Sequence, residues 1–364
     1  MSLTRISHQL APVSQVLDLS FVNTHDGWAL GSACGAGESC AVAIRKTTDG
    51  GRTWHPVVAP VVSPAWHFIA APTVSPADQG NVDARGSAGY LRFATTRIGW
   101  LYGPGLFVTD DGGSSWTRQR SPWATVALAP VGASVWALQE QCASPPSQHC
   151  SFRLIVSTDT GHTWHIPAVQ PRLSGPQQMQ LVRTDAGHAW ILTFGGSHAT
   201  LLATVDGGKH WQARGYPCGP VGSFIDRLAA HDDTHLWLLC GGQPAAGTEF
   251  KYLYRSNDGG AHWRRVAKAR VPSTATLPLG GYLADLAVTG AARGWLALVR
   301  GTLYTTGNGG STWQPAISFS QANPGVGGLG PLVFVDPAHG WLGAQDRVFR
   351  TTDGGTQWHA TSLG

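Results

Sequence analysis

Thr47-Thr48-Asp49-Gly50-Gly51-Arg52-Thr53-Trp54 decides the fold of this chain, because the stretch recurs. Later copies close at Trp116, Trp164, Trp211, Trp263, Trp313 and Trp358, so successive closing tryptophans stand 62, 48, 47, 52, 50 and 45 residues apart. Self-similarity at such a period marks a repeat architecture. Asp-Gly-Gly between two apolar runs is hairpin-turn chemistry: glycine reaches positive φ without a Cβ clash, and the Asp carboxylate bonds nearby backbone N–H groups. A Ser or Thr two residues earlier (Thr109, Ser157, Thr204, Ser256, Thr351) adds a second local hydrogen bond. The closing Trp is large enough to cap one repeat against the next. The turn aspartates are Asp49, Asp111, Asp159, Asp206, Asp258 and Asp353; Asn308 replaces them in the sixth copy and is expected to make similar turn bonds.

A second tryptophan precedes each of these boxes, as Trp28, Trp100, Trp136, Trp190, Trp237, Trp295 and Trp341, and upstream of it comes an apolar segment and a polar turn. Each repeat therefore reads as strand, turn, Trp strand, loop, strand, Asp-box turn, strand, which is a four-stranded antiparallel blade. One such sheet cannot bury both faces, whereas seven in a ring bury each face against a neighbour and shield most edges. The sequence predicts an all-β, seven-bladed β-propeller, with residues 1–15 a lead-in and 16–364 a single ring. Ring closure is expected to rest on blade-to-blade packing. Strand order puts the Asp-box turns and each repeat's first turn on one face, and the remaining loops and blade connectors on the other.

Charged residues are only 13% of the chain while Gly numbers 47 and Trp 16, a composition that suits short strands joined by glycine turns. The net charge of +4 arises from 21 Arg and 4 Lys against 18 Asp and 3 Glu, scattered without a long basic run, which argues against nucleic acid as a partner. The densest basic stretch, residues 264–270 with Lys251 and Arg255, reads as a solvated outer strand or, alternatively, a basic patch for an anionic partner. No run of 18 apolar residues exists, so no transmembrane segment is predicted. The stretch His231-Asp232-Asp233-Thr234-His235 falls where other repeats have an exposed turn, so neither a metal nor a cofactor is assigned.

Cys34 and Cys40 flank the loop after the Trp28 strand, and Cys142 and Cys150 flank the equivalent loop of the third repeat. Cys218 and Cys240 fall on the same face. Three disulfides, Cys34–Cys40, Cys142–Cys150 and Cys218–Cys240, are predicted, which implies an oxidising compartment. Residues 1–6 carry no apolar leader, so the expectation is an exported protein, periplasmic, envelope-bound or secreted, whose signal peptide has been removed.

Ser/Thr-x-Asp-Gly-Gly-x-Thr-Trp is identified as the BNR or Asp-box repeat. Its pairing with an upstream Phe-x-Asp-x-x-x-Gly-Trp strand resembles the photosystem II stability/assembly factor family and its relatives in non-photosynthetic bacteria, over residues 16–358. The resemblance implies an exported, non-enzymatic scaffold that binds a protein or peptide partner through basic side chains on its working face, and a role in assembly of an envelope complex. Asp boxes also occur in sialidases and xyloglucanases, so the alternative is a glycan-binding or glycoside-hydrolase propeller. Against it, the chain has only Glu38, Glu140 and Glu249, lacks the sialidase Arg-Ile-Pro motif, and forms one propeller where xyloglucanase-like enzymes use two.

Ten residues before each strand-two Trp stand Asp18, Tyr90, Val126, Gln180, Arg227, Asp285 and Pro331. Innermost strands line the channel of a propeller, so Asp18, Tyr90, Gln180, Arg227 and Asp285 are candidates for a ring that binds a small polar ligand, an ion or a peptide side chain; polarity from water in the channel is the alternative reading. Trp66, His67 and Trp123 have no repeat role and lie in blade connectors, which makes them candidate aromatic contacts on the disulfide face.

Overall fold

The computed structural model describes residues 12–34, 40–60, 89–103, 105–143, 150–173, 178–194, 199–219, 225–243, 246–269, 276–299, 301–319 and 328–364. Within them 27 strands, β1 to β27 in chain order, form seven sheets: β1–β4 within residues 15–57, β5–β8 within 90–119, β9–β11 within 124–157, β12–β15 within 178–214, β16–β19 within 225–269, β20–β23 within 283–318 and β24–β27 within 332–362. Each sheet runs in sequence order with antiparallel neighbours, and the inner strands of successive sheets adjoin one another, through β6 and β9 between blades two and three, until β24 and β25 meet β1. The chain is a seven-bladed β-propeller. No helix among the described residues is long and apolar enough to cross a membrane.

There is one apolar core per blade interface. Trp28, Ile44 and Phe93 belong to the core between the first two blades, and Val13, Val16, Leu19, Trp341 and Val348 to the core between the last and the first. The seven strand-two tryptophans are at most 4% exposed. Five of them donate the indole N–H to a backbone carbonyl in the next blade's Asp box: Trp28 to Gly112, Trp100 to Thr160, Trp190 to Gly259, Trp295 to Gly354 and Trp341 to Gly50, at 2.8–3.1 Å. Burying that donor without a partner would cost free energy, so the bond fixes how adjacent blades sit. Phe93, Phe334 and Phe21 stack flat on the Trp of the preceding blade, at 3.6–3.7 Å between ring centroids. The closing tryptophans Trp54, Trp116 and Trp358 meet those Phe rings edge-on.

The Asp box folds as its chemistry requires. Thr47 Oγ1 donates to Asp49 Oδ1 and accepts from Gly51 N, both at 2.8 Å, while Thr53 Oγ1 donates to Asp49 Oδ2 at 2.7 Å. In the fourth and fifth boxes His210 and His262 replace that Thr and place Nδ1 2.6 and 2.7 Å from the carboxylate. Asn308 keeps the turn by donating Nδ2 to Thr312 Oγ1. The third box has Thr160 where the others have their first Gly, and Thr160 adopts φ 60°, the left-handed region that Gly enters without strain.

Ring closure uses packing, as expected, and also hydrogen bonds to backbone carbonyls. Val13 N donates to Gly364 O, Val16 N to Gln345 O, and the Arg45 Nε to Leu363 O. Each blade is continuous in sequence, so no strand is exchanged between the first and last blades.

Blade three departs from the predicted four strands. Beyond β11 (Cys150–Ser157) only His165 pairs, with Val156, in an isolated bridge. The next inward position is Pro167, which has no N–H to give a ladder. The Gln170 side-chain amide substitutes: its Oε1 accepts from Leu154 N at 2.8 Å and its Nε2 donates to Leu154 O at 3.1 Å.

Candidate functional site

Strand order puts the disulfides where the sequence places them. Cys142–Cys150 joins the ends of β10 (Ser134–Cys142) and β11, and Cys218–Cys240 ties the connector before blade five to the end of the Trp237 strand, both on the face opposite the Asp boxes. The side chains of Cys34 and Cys40 lie outside the described residues, as do Trp66 and His67.

The innermost strands open their first halves toward this face. Asp18 on β1 (Gln15–Phe21) is 5% exposed and fully engaged: Oδ1 accepts from Leu19 N, and Oδ2 accepts from Leu91 N and from Arg92 Nη1, at 2.8–2.9 Å. Gln180 Oε1 accepts from Leu228 N, and Asp285 Oδ2 from Leu332 N. These three share one role: the ring residue of one blade holds the N–H that follows the ring residue of the next. Their polarity is accounted for by latching neighbouring blades, with or without a ligand.

Tyr90, Arg227 and a residue absent from the sequence-based set, Arg92, are differently placed. Tyr90 opens β5 (Tyr90–Phe93), is 40% exposed, and stacks on Tyr102 at 5.3 Å. The Arg92 side chain is 39% exposed. Its Nη1 serves Asp18 and Leu91 O, leaving Nε and Nη2 without a protein acceptor among the described residues. Desolvation pulls the Arg92 pKa down, but the Asp18 carboxylate outweighs it and holds the guanidinium firmly protonated. Arg227 Nη2 reaches across the blade interface to Ala284 O at 3.1 Å, and its Nε lies 3.7 Å from Asp285 Oδ1. Burial pushes the Asp285 carboxyl up, with Arg227 opposing. The cluster thus pairs two guanidinium groups with two carboxylates around tyrosine. The signal for Arg92 was present, an Arg alternating with Leu91 and Phe93 in an apolar strand, but lay two residues past the position compared across repeats.

At the rim, Trp123 precedes β9 (Ala124–Val131) and lies under the Arg153 guanidinium at 4.3 Å. Arg153 Nε and Nη2 both donate to Gln139 Oε1, at 2.9 and 2.7 Å, so the Trp–Arg stack is held from beneath by a buried amide.

Blade five holds a polar cluster that the sequence did not reveal. Lys251, expected on a basic surface patch, is fully buried 3.6 Å from the buried Glu249 carboxylate. Its Nζ donates to the carbonyls of Glu249, Pro278 and Gly281. Alternation along one strand cannot show that a Lys end will find carbonyls from a distant connector, which is why the patch reading fails here. Arg264 and Arg265 do lie exposed on the outer strand. Nearby, the Tyr216 hydroxyl donates to Asp226 Oδ2 and Gly241 N to Oδ1, while burial pushes the Asp226 carboxyl up to about 7. Asp226 lies beside Cys218 and Cys240, but sulfurs joined in a disulfide are not thiolate ligands for a metal. In the 231–235 stretch, Asp232 Oδ1 accepts from Thr234 N and His235 N and its carboxylate bonds His235 Nδ1, the same turn that Asp185–His188 and Asp336–His339 make.

Residues 173–318, which hold blades four to six, match the family model described as photosynthesis system II assembly factor YCF48. The photosystem II stability/assembly factor HCF136 of Oryza sativa subsp. japonica is 28% identical over 138 residues, 37% of this chain and 29% of that protein. The photosystem II assembly lipoprotein Ycf48 of Synechococcus sp. (strain CC9902) is 29% identical over 135 residues, 37% of this chain and 35% of that protein. The matches thus span about a third of each curated relative's length. The solved structure of YCF48 bound to D1 peptide shares the ring, with a TM-score of 0.60 at 18% identity over 94% of both chains. Repeat, ring and matched blades together make this chain similar to the photosystem II assembly factor-like BNR propellers.

Proposed function

We propose that this propeller is a non-enzymatic platform that binds an extended polypeptide across the channel mouth on its disulfide face. The observation that carries the reading is Arg92, half-exposed at the mouth with two donor nitrogens unspent, beside the exposed ring of Tyr90. A fixed guanidinium with free donors seeks carbonyl or carboxylate oxygens, and a tyrosine face next to it suits peptide backbone and side chains. Arg227 and the Trp123–Arg153 stack extend that surface. Similarity to a relative solved with a D1 peptide supports the same class of ligand. Both oxygens of Asp18 are already committed to N–H donors, which disfavours a carboxylate pair poised for glycoside hydrolysis at this place. An exported protein that assists assembly of an envelope complex fits the two described disulfides.

The test is retention of the full chain on an array of extended peptides, with a glycan array in parallel. The reading predicts peptide retention that falls by about tenfold or more in the Arg92→Ala/Arg227→Ala variant, the loss expected when anchoring arginines are truncated. Glycan retention without peptide retention would contradict it.

A further inference from the structure

The missing fourth strand of blade three leaves a cleft of about 220 Å³ against blade four, lined by Ser134, Trp136, Leu154, Val156, His165 and Pro167 on one side and by Ala186, Gly207 and Gly208 on the other. Other blades fill the corresponding place with their own chain: Val57 pairs opposite Ile44, Gln119 opposite Leu106, Arg214 opposite Leu201, Ala267 opposite Leu253, Ile317 opposite Leu303 and Thr361 opposite Val348. In blade one Val57 packs against the next blade's box, 3.5 Å from where a Cβ on Gly113 would stand. Opposite Leu154 the Gln170 side-chain amide takes the place of a strand residue, and Pro167 lines the cleft.

Two further observations describe its walls. Trp136, like Trp237, has an indole N–H with no acceptor among the described residues, and the Arg183 guanidinium lies on its ring at 4.3 Å. The rim carries exposed aliphatic side chains, Ile166 and Val205, each 56% exposed and each adjacent in sequence to lining residues or within two positions of them.

We infer that this cleft is a socket for one aliphatic or aromatic side chain of a partner polypeptide lying extended along the outer side of blades three and four. Its size is below the roughly 300–1,000 Å³ that hold a cofactor or drug-sized ligand, so a single side chain fits where an oligosaccharide does not. Extended polypeptide is the chemistry that the other blades use in the same place. Phe152 lies two residues along β11 from Leu154, so its N–H and C=O turn to the same outer edge and offer a further backbone contact. The inference rests on the polypeptide-binding reading for the class of ligand, but places a contact away from the channel mouth.

The test uses the full chain and three acetylated, amidated peptides of sequence Gly-Thr-X-Thr-Gly, with X as Ala, Leu or Phe. Affinity is read by calorimetry, and the site by the indole N–H resonance of Trp136, assigned through Trp136→Phe. The inference predicts that the Leu or Phe peptide binds at least about tenfold tighter than the Ala peptide, the scale of burying those side chains, and moves the Trp136 resonance. Ala186 is exposed at the rim, so Ala186→Trp should plug the socket without touching the core and bring the Leu and Phe peptides down to the Ala value. In the Arg92→Ala/Arg227→Ala variant the preference for Leu or Phe over Ala and the shift of the Trp136 resonance should persist, whatever peptide binding the channel mouth loses. Equal binding of all three peptides, or unchanged binding in Ala186→Trp, or no binding at all, overturns the socket. Binding lost only in the arginine variant overturns it while leaving the channel-mouth reading standing.

Discussion

At the residue scale, stacking and glycine are linked. A Cβ on Gly27, Gly99 or Gly340 would stand 2.3–2.4 Å from the ring of Phe21, Phe93 or Phe334, whereas at Gly294, where Val288 replaces the Phe, the nearest atom is 3.2 Å away. The Phe that stacks on the preceding blade's Trp needs a Gly beneath it. Gly99→Ala should therefore destabilise by about 1–3 kcal/mol, the usual cost of overpacking, and Gly294→Ala by clearly less; urea unfolding of both variants checks the order. Ionisation acts at the same scale. The Ser115 hydroxyl and its N–H hold Asp111 down to about 2, and the His262 N–H with Ser256 does the same for Asp258, so these turns contribute stability above the ordinary carboxyl value that is lost as pH falls toward about 2. Asp226 has the opposite sign. Its folded value of about 7 exceeds the ordinary 3.8, so the folded state holds more protons between them and stability declines as pH rises through that window. Asp226→Asn should remove that decline, measured as the difference in urea midpoint between roughly pH 4.5 and pH 8; a decline of wild-type size in the variant would assign it elsewhere.

At the element scale, blade three shows how a side chain can replace a strand. Gln170→Ala should cost about 1–3 kcal/mol, because the Leu154 N–H and C=O lose their partner, and hydrogen exchange at the Leu154 amide should rise first. A silent substitution would mean water serves Leu154 equally well. This element also marks what could be read from the sequence. Asp boxes, paired tryptophans, six complete blades and two of the cysteine pairs were legible, because each rests on local chemistry repeated at a fixed spacing. The loss of the fourth strand depends on one proline three residues after Trp164, which the repeat pattern passes over. The burial of Lys251 and Glu249 depends on carbonyls and an N–H supplied by residues 278–283, beyond any local pattern. In the candidate ring, polarity was legible but its use was not: Asp18, Gln180 and Asp285 reach across a blade interface, a relation between repeats rather than within one.

At the scale of the molecule, seven near-equivalent interfaces make a rigid ring, and rigidity allows sites to be carried by the differences between blades. Tyr90 and Arg92 belong to blade two, the Trp123–Arg153 stack to blade three, and Arg227 to blade five, so a ligand crossing the mouth would meet residues from separate blades. A surface of this kind binds without closing over its ligand, and binding should be read as protection rather than as movement. The most direct measurement is hydrogen–deuterium exchange of the full chain with and without a peptide retained on the array. The account predicts slowed exchange at residues 90–93 and 225–230 on the inner strands, with the Asp-box turn at residues 49–53 unchanged. Protection confined to the Asp-box face, or absent from the inner strands, would contradict it.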